Sequence, residues 1–327
     1  MSSGELIAGF DAGQTHTRCR LARLTPEGSW VVLAEGEGSG VCHLDAPEGE
    51  GRFVAALQSS FGAAQGALGA EFADLTLAAA AIGASGIEAG SSVQPRAQQL
   101  AAKALGLPTA RVVASGDEHT ALEGARGTAS AGILLISGTG CIALGRNAAG
   151  SQHRCGGWGW LLDGAGSACD IGRDGLALAL EMADGRRSDT PLRQVIWKGL
   201  GLNADDPGAA QAIKALVVDP GFGAAGFARL APLVHQQALA GDRDASAVVQ
   251  RSAAALAHMA ATIATRLQLI APPIWPSGGA LQHLSLLRDG LVQTLALQCP
   301  GAQLEQPAGD ACDGALRLAQ ALVTAET

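Results

Sequence analysis

The sequence predicts an α/β protein of two lobes. Strand-like and helical stretches alternate along the chain, and one strand–glycine/threonine turn–strand unit occurs near residue 13 and again near residue 138. A 48% hydrophobic composition over 327 residues can also bury a large core. The first lobe opens on an apolar run at residues 6–10 that enters a Gly/Thr turn. An alternating pattern at 19–23 and a third run at 30–34 make the opening strand, tight turn, strand, strand. Helical spacing follows at 51–68, then a buried strand at 75–82 running into the glycine turn 83–86. A helix at 95–105, a strand at 111–114 and the start of a helix at 120–127 come next. The opening then repeats, with strands at 132–137 and 141–146 flanking Gly138-Thr139-Gly140. Beyond the glycine-rich stretch 156–166, helices are expected at 173–183, 190–200, 209–217, 232–240 and 245–269. A strand at 274–279 and a closing helix at 314–323 complete the pattern. The lobes part near 118–130, giving an N-terminal lobe of residues 1–118 and a C-terminal lobe of 119–327. The last helix is free to pack back on the first lobe.

Composition narrows the partners. The 45 glycines fall in clusters without a Gly-X-Y period, so they mark tight turns rather than collagen or linker. Aromatics make up 3% with no Tyr, which leaves Ala, Leu, Val and Ile to fill the core. Lys+Arg number 22 against 30 Asp+Glu, a formal charge of −8 with no basic run, so nucleic acid is excluded as a partner. The longest apolar stretch, 253–271, is interrupted by His258, Arg266 and Gln268 and reads as a core helix rather than a membrane span. Seven cysteines (19, 42, 141, 155, 169, 299 and 312) form no C-x-x-C pair. Their odd number and the lack of a signal peptide point to reduced thiols in the cytoplasm. The evenly spaced Cys141, Cys155 and Cys169 lack the close ligand pairs of a metal site and read as buried small hydrophobes.

Any phosphate site here must do without a P-loop lysine. That motif needs Gly-Lys followed by Ser or Thr, and the only lysines, Lys103, Lys198 and Lys214, follow Ala102, Trp197 and Ile213. Residues 138–143 fit the dinucleotide pattern G-x-G-x-x-A, with Asp163 about 20 residues on. That fingerprint must open a helix, and Gly145, Asn147 and Gly150 leave no room for one. A β-hairpin turn holds phosphates differently, with backbone N–H groups and Thr hydroxyls aimed at the oxygens and glycine where the backbone approaches closely. Asp11-Ala12-Gly13-Gln14-Thr15-His16-Thr17 and Ser137-Gly138-Thr139-Gly140 both suit it. Two such turns on facing lobes would clamp a nucleotide, with Asp11 placed to hold Mg2+ through waters.

At these turns the chain resembles the N-acetylglucosamine kinase and BadF/BadG-type ATPase family of the actin-like ATPase superfamily, which also holds other sugar kinases, heat-shock chaperones and actin. Residues 9–17 are similar to the family's first phosphate motif and 132–146 to its second. Gly156-Gly157-Trp158-Gly159-Trp160-Leu161-Leu162, followed by Gly166-Ser167 and Ile171-Gly172-Arg173, resembles its sugar-side signature. Ser277-Gly278-Gly279 looks like the adenosine motif and Asp313-Gly314-Ala315-Leu316 the terminal one. The resemblance implies two ribonuclease-H-like lobes with a nucleotide cleft between them. It implies an ATP-dependent kinase that phosphorylates a hydroxyl of an amino sugar, N-acetylglucosamine or glucosamine, with ATP and Mg2+ as cofactors. Phosphate contacts are then expected from Gly13, Gln14, Thr15, Thr17, Gly138, Thr139 and Gly140, an adenosine approach at Gly278 and Gly279, and metal-bound waters at Asp11. Sugar contacts are expected from Ser39, His43, Gly156, Gly157, Trp158 and Asp163. Relatives so organised are often dimers, so a homodimer with a small-molecule sugar substrate is expected, with neither nucleic acid nor membrane as a partner.

Phosphoryl transfer to a hydroxyl leaves the protein three tasks: positioning, charge neutralisation and removal of one proton. A carboxylate at a strand end between the two phosphate turns suits the last. Residues 112–125 resemble the family segment in which an Asp precedes Ala-Leu-x-Gly-Ala, so Asp117 is the expected base. A helix N-cap is the alternative role, and the two can coexist. Glu118 and His119 are expected in a solvated first turn. Departures fall mainly on the sugar side. Where related kinases carry Gly-Asp-Glu-Gly-Ser this chain has Asp163-Gly164-Ala165-Gly166-Ser167, so Gly164 stands where an Asp binds sugar hydroxyls and Asp163 is the candidate replacement. His16 stands where Lys is common, and Gln14 where Gly is. Trp158 and Trp160 either stack on a sugar face or pack in the core. Two further readings stay open, an ATPase of the BadF type that drives a partner enzyme and a degenerate nucleotide-binding sensor. The cysteines that hold an iron–sulfur cluster in the BadF type have no grouped counterpart here.

Overall fold

The computed structural model describes residues 5–25, 28–69, 72, 76–203, 205–206 and 208–324. Contacts gather the chain into two units, Met1–Ala129 with Pro307–Thr327, and Ser130–Gln306.

The first unit is built on strands β1 (Leu6–Ala12), β2 (His16–Leu24), β3 (Trp30–Ser39), β4 (Leu77–Ala84) and β5 (Val112–Ser115), in the order β3-β2-β1-β4-β5. The first three form an antiparallel meander, while β4 runs parallel to β1 and β5 parallel to β4. Against the strand expected at 75–82, β4 starts at Leu77 and runs two residues further, taking in Gly83 and Ala84 of the expected glycine turn; Leu75 lies outside the described residues. Because β1 is buried on both faces, its period-2 alternation divides it between two cores. Leu6, Ala8, Phe10 and Ala12 pack with Phe53 and Leu57 of α1 (Gly49–Gly66) and with Ala97 and Ala101 of α2 (Val93–Leu105). Ile7 turns the other way, toward Ala315, Leu316 and Ala319 of the closing helix, α12 (Ala311–Thr324). Helix α3 (Asp117–Arg126) crosses α12 where each has a glycine. A Cβ at Gly124 would fall on the Asp310 carbonyl, and one at Gly314 on the Thr120 carbonyl. This crossing keeps α3 with the first unit, past the boundary at 118 expected from the sequence.

The second unit carries β6 (Gly132–Ser137), β7 (Cys141–Arg146), β8 (Gln152–Gly156), β9 (Pro273–Ser277) and β10 (Gln303–Leu304), in the order β10-β9-β6-β7-β8. Counted within each unit the two orders are the same. A three-strand meander has its first strand paired in parallel with a fourth, and a fifth lies beside that. The repeat legible in the opening hairpins thus extends to the whole sheet.

Its helices are α4 (Ala168–Ala183), α5 (Pro191–Gly199), α6 (Ala209–Val218), α7 (Gly223–Ala228), α8 (Ala231–Leu239), α9 (Arg243–Arg266), α10 (Gly279–His283) and α11 (Ser285–Gln298). The alanine-rich α9 buries Ala253, Leu256, Ala257, Ala260, Ile263 and Ala264, a stripe at spacing 3 and 4 that packs on Ile133, Leu135 and Ile274 of the sheet. Among the described residues no helix is long and apolar enough to cross a membrane. Helix α4 begins at Ala168, ahead of the expected 173, because the Ser167 hydroxyl caps it by accepting from the Asp170 amide at 3.1 Å.

Candidate active site

In the first unit the parallel strands β1, β4 and β5 end at one edge, where Asp11, Gly83 and Ser115 stand in register across the sheet. The C-terminal ends of parallel strands are where open α/β sheets place their ligands. The β1–β2 turn closes there, its Gly13 amide donating to the His16 carbonyl at 3.0 Å. Gln14, Thr15 and His16 are exposed at its tip, and the Thr15 hydroxyl meets His16 Nδ1 at 3.0 Å. The Val41 amide donates to the Gly13 carbonyl at 2.9 Å and lays the loop after β3 on the turn. Ser39, the cross-strand partner of His16, and His43 are exposed beside it, with His43 Nδ1 accepting from the Asp45 amide at 3.2 Å. Thr17 is different. Alternation along β2 buries it completely with Cys19 and Leu21, behind the turn on which it was expected to meet phosphates.

Asp117 lies at the same edge, two residues beyond the end of β5. It is the first residue of α3, and Gly116 holds the cap position without any side-chain bond, so Asp117 is not the N-cap. Its Oδ1 accepts from the Glu118 amide at 2.9 Å, and its carbonyl accepts from the Thr120 hydroxyl at 3.0 Å. Burial raises its carboxyl above the ordinary carboxylate range. The hydrogen bond with Glu118 pulls against that, and the charge of Asp11 adds to it. Such a carboxylate suits a proton acceptor better than an exposed one does. Glu118 and His119 are half-buried rather than solvated.

Sequence reasoning missed the groups behind Asp11. Arg18 on β2 donates to Asp11 Oδ2 at 2.8 Å and to Asp310 Oδ2 at 3.0 Å, and Arg20 bonds Asp310, Asp313 and Glu35. Arginines at i and i+2 of a strand share one face, which was the available signal, but Asp310 and Asp313, which join them to the end of the chain, lie almost 300 residues away. Among the described residues no three His, Cys, Asp or Glu side chains come together to enclose a metal ion. Mg2+ usually keeps several waters and takes one or two carboxylates plus substrate phosphates. Asp11, held through one oxygen, fits that donor set.

In the second unit the β6–β7 turn closes with the Gly138 amide on the Gly140 carbonyl at 2.8 Å, and Thr139 and Gly140 are exposed at its tip. The Ala168 amide of α4 donates to the Gly138 carbonyl at 2.9 Å and fixes the turn from below. Gly278 packs against it. Its φ is +89°, and a Cβ there would fall on the Ser137 carbonyl, so only glycine brings 278–279 this close to 138–140. The 156–163 loop gathers Gly156, Gly157, Trp158 and Asp163, with the Asp163 carboxylate beside Gly156. Left-handed Gly157 and Gly159 flank Trp158 and turn its ring outward, 63% exposed. Arg154 lies over that ring at 5.0 Å and donates to the Gly156 and Gly157 carbonyls at 3.2 and 2.7 Å. Trp160 instead packs on Phe227, ring centroids 6.0 Å apart. All seven cysteines carry free thiols, and burial, with the Asp163 and Asp170 carboxylates nearby, pushes the Cys141 thiol up to about 12.

The chain is 32% identical over 192 residues to N-acetyl-D-glucosamine kinase of Dictyostelium discoideum, a stretch covering 58% of this chain and 59% of that one. It is 27% identical over 191 residues to N-acetylmuramic acid/N-acetylglucosamine kinase of Clostridium acetobutylicum, covering 58% and 61%. The match thus spans less than two thirds of the length of either relative. A solved structure from Chromobacterium violaceum, provisionally named an N-acetylglucosamine kinase, aligns with a TM-score of 0.72 at 30% identity over 97% of this chain and 99% of that one. The two sheets of like order are those of the actin-like ATPase fold. With a sequence model of the family matching residues 8–316, the chain belongs to the BadF/BadG/BcrA/BcrD ATPase family.

Proposed function

We propose that this protein is an ATP-dependent kinase that phosphorylates a hydroxyl of an amino sugar, N-acetylglucosamine or glucosamine. ATP use follows from membership of an ATPase family, and the amino sugar from the kinases to which the chain is similar. One observation carries the reading. An exposed Gly/Thr turn, a carboxylate held by arginine and a second carboxylate raised by burial share one sheet edge.

Asp117 is the base. It takes the proton of the acceptor hydroxyl as that oxygen bonds to the γ-phosphorus and the bond to the β–γ bridging oxygen breaks, releasing ADP. Backbone amides of 13–15 and 138–140 hold phosphate oxygens, which makes a P-loop lysine unnecessary. Gly278 and Gly279 let adenosine approach the backbone. Mg2+ neutralises charge on the phosphates when bound, and Asp11 is the residue that would hold one of its waters. Trp158 offers a ring face to the sugar, and Asp163 a carboxylate to its hydroxyls in place of the one missing at Gly164. Ser39, His43, Gly156 and Gly157 complete the sugar side. The protein works as a cytoplasmic homodimer.

The test is ADP release from Mg-ATP with N-acetylglucosamine, glucosamine, N-acetylmannosamine, N-acetylmuramic acid or glucose as acceptor. Stimulation by an amino sugar is expected. ATP binding without stimulation by any of them would overturn the reading and turn the search toward a protein partner.

A further inference from the structure

Arg18 faces Asp11 directly across the β1–β2 ladder, on the sheet face that meets α12. Its guanidinium donates to Asp11 Oδ2 at 2.8 Å and to Asp310 Oδ2 at 3.0 Å. Asp310 is itself fixed. Its Oδ1 accepts from the Asp313 amide at 3.0 Å and from Arg20 at 2.9 Å, and its own amide donates to Asp313 Oδ2 at 3.1 Å. Burial works against its ionised form, but the Asp313 amide and the charges of Arg20 and Arg18 outweigh that and hold its carboxyl below the ordinary range. Arg18 is therefore clamped between two anions instead of swinging on its stem. A planar guanidinium fork can satisfy two carboxylates in fixed directions, which an ammonium cannot. With Oδ2 of Asp11 pinned, the direction of Oδ1 is set as well.

We infer that Arg18 is a positioning residue: braced by Asp310, it holds Asp11 by one carboxylate oxygen so that the other meets the water of a phosphate-bound metal ion. The inference rests on the reading of Asp11 as the metal-facing residue. Arg18 acts through Asp11, in the manner of outer-shell partners whose loss costs about 10–100-fold in metal affinity.

Isothermal titration calorimetry of the full chain with a non-hydrolysable ATP analogue, in Mg2+ and in EDTA, reads the gain in nucleotide affinity that the metal supplies. The proteins are wild type, Arg18→Gln, Arg18→Lys and Asp310→Asn, with thermal midpoints taken on the same samples. Arg18→Gln is expected to lose about 10–100-fold of the Mg2+-dependent gain while its affinity in EDTA stays that of wild type. Asp310→Asn loses less, and Arg18→Lys falls between, keeping charge without the fork. Should Arg18→Gln not fold, Asp310→Asn carries the same expectation at smaller size. An unchanged Mg2+ gain in Arg18→Gln with a lowered midpoint would overturn the inference and make Arg18 a strut between α12 and the sheet. A wild type that gains nothing from Mg2+ overturns it too. No sugar enters this assay, so a failure of the amino-sugar reading shows only in the ADP-release panel.

Discussion

Replacing Gly314 by alanine sets two effects of opposite sign against one another. In a helix interior the exchange by itself stabilises by about 0.5–1 kcal/mol, because alanine loses less backbone freedom on folding. At the α3–α12 crossing, however, the new Cβ would fall on the Thr120 carbonyl oxygen and lie 2.9 Å from its carbon. These are backbone atoms, so no side chain can swing aside and the two helices must part. Overpacking costs about 1–3 kcal/mol and occasionally more, and a rigid neighbour belongs at the upper end. The net loss is then about 2 kcal/mol, or about 4–8 °C in Tm for a unit of this size. Gly62 supplies the control. It is exposed within α1 with nothing inside 4 Å of its would-be Cβ, so Gly62→Ala should raise Tm by a few degrees. Differential scanning calorimetry of both variants reads the two signs directly. Because α3 begins at Asp117, Gly314→Ala should also lower kcat. A Gly314→Ala protein as stable as wild type, or two variants shifted the same way, would refute the reasoning.

Asp117→Asn keeps the shape of the side chain but cannot take a proton, so kcat should fall about 10²–10⁴-fold with little change in ATP affinity. Only ionised Asp117 accepts a proton and burial raises its carboxyl, so wild-type kcat should fall on acidification with a midpoint above the usual 3.8; a midpoint at or below it would count against the assignment. His235 is a second pH-sensitive point. Its Nε2 accepts from the Leu286 amide at 3.2 Å, and burial lowers its pKa from 6.5. A folded value below the unfolded one means that stability is full above about 6.5 and is lost as pH falls toward the folded value. Urea unfolding should show that loss in wild type and a flatter profile in His235→Gln; identical profiles would contradict it. Gly278→Ala forces a left-handed backbone on a side chain and pushes on the Ser137 carbonyl, and should weaken nucleotide binding about tenfold or more by calorimetry. Unchanged affinity would show that the turn tolerates a Cβ.

Legibility in the sequence followed local pattern. The hairpins around residues 13 and 138 were readable because apolar alternation and glycine turns are signals confined to a dozen residues. The edge strand Gln152–Gly156 was not readable, since it is polar or half-buried at every position and carries no alternation. Helix α11 escaped notice behind the Gly290 in its interior, and two-residue β10 is too short to carry a pattern. At Asp117 the capping rule pointed to an N-cap, but Gly116 takes that place, and an extended φ and ψ at glycine have no side-chain signature. Trp158 and Trp160 looked alike in sequence and are separated only by the left-handed glycines around the first and by Phe227 beneath the second. The Arg18–Asp310 bond joins the second strand to the residue just ahead of the last helix, and no local rule reaches that far.

The most direct measurement of the central claim is the fate of the γ-phosphoryl group, followed by 31P NMR with Mg-ATP and N-acetylglucosamine or glucosamine. A sugar phosphomonoester resonance that grows in step with ADP, and is absent with Asp117→Asn, is the expected result. Growth of inorganic phosphate alone, at a rate indifferent to the sugar, would contradict a kinase acting on amino sugars.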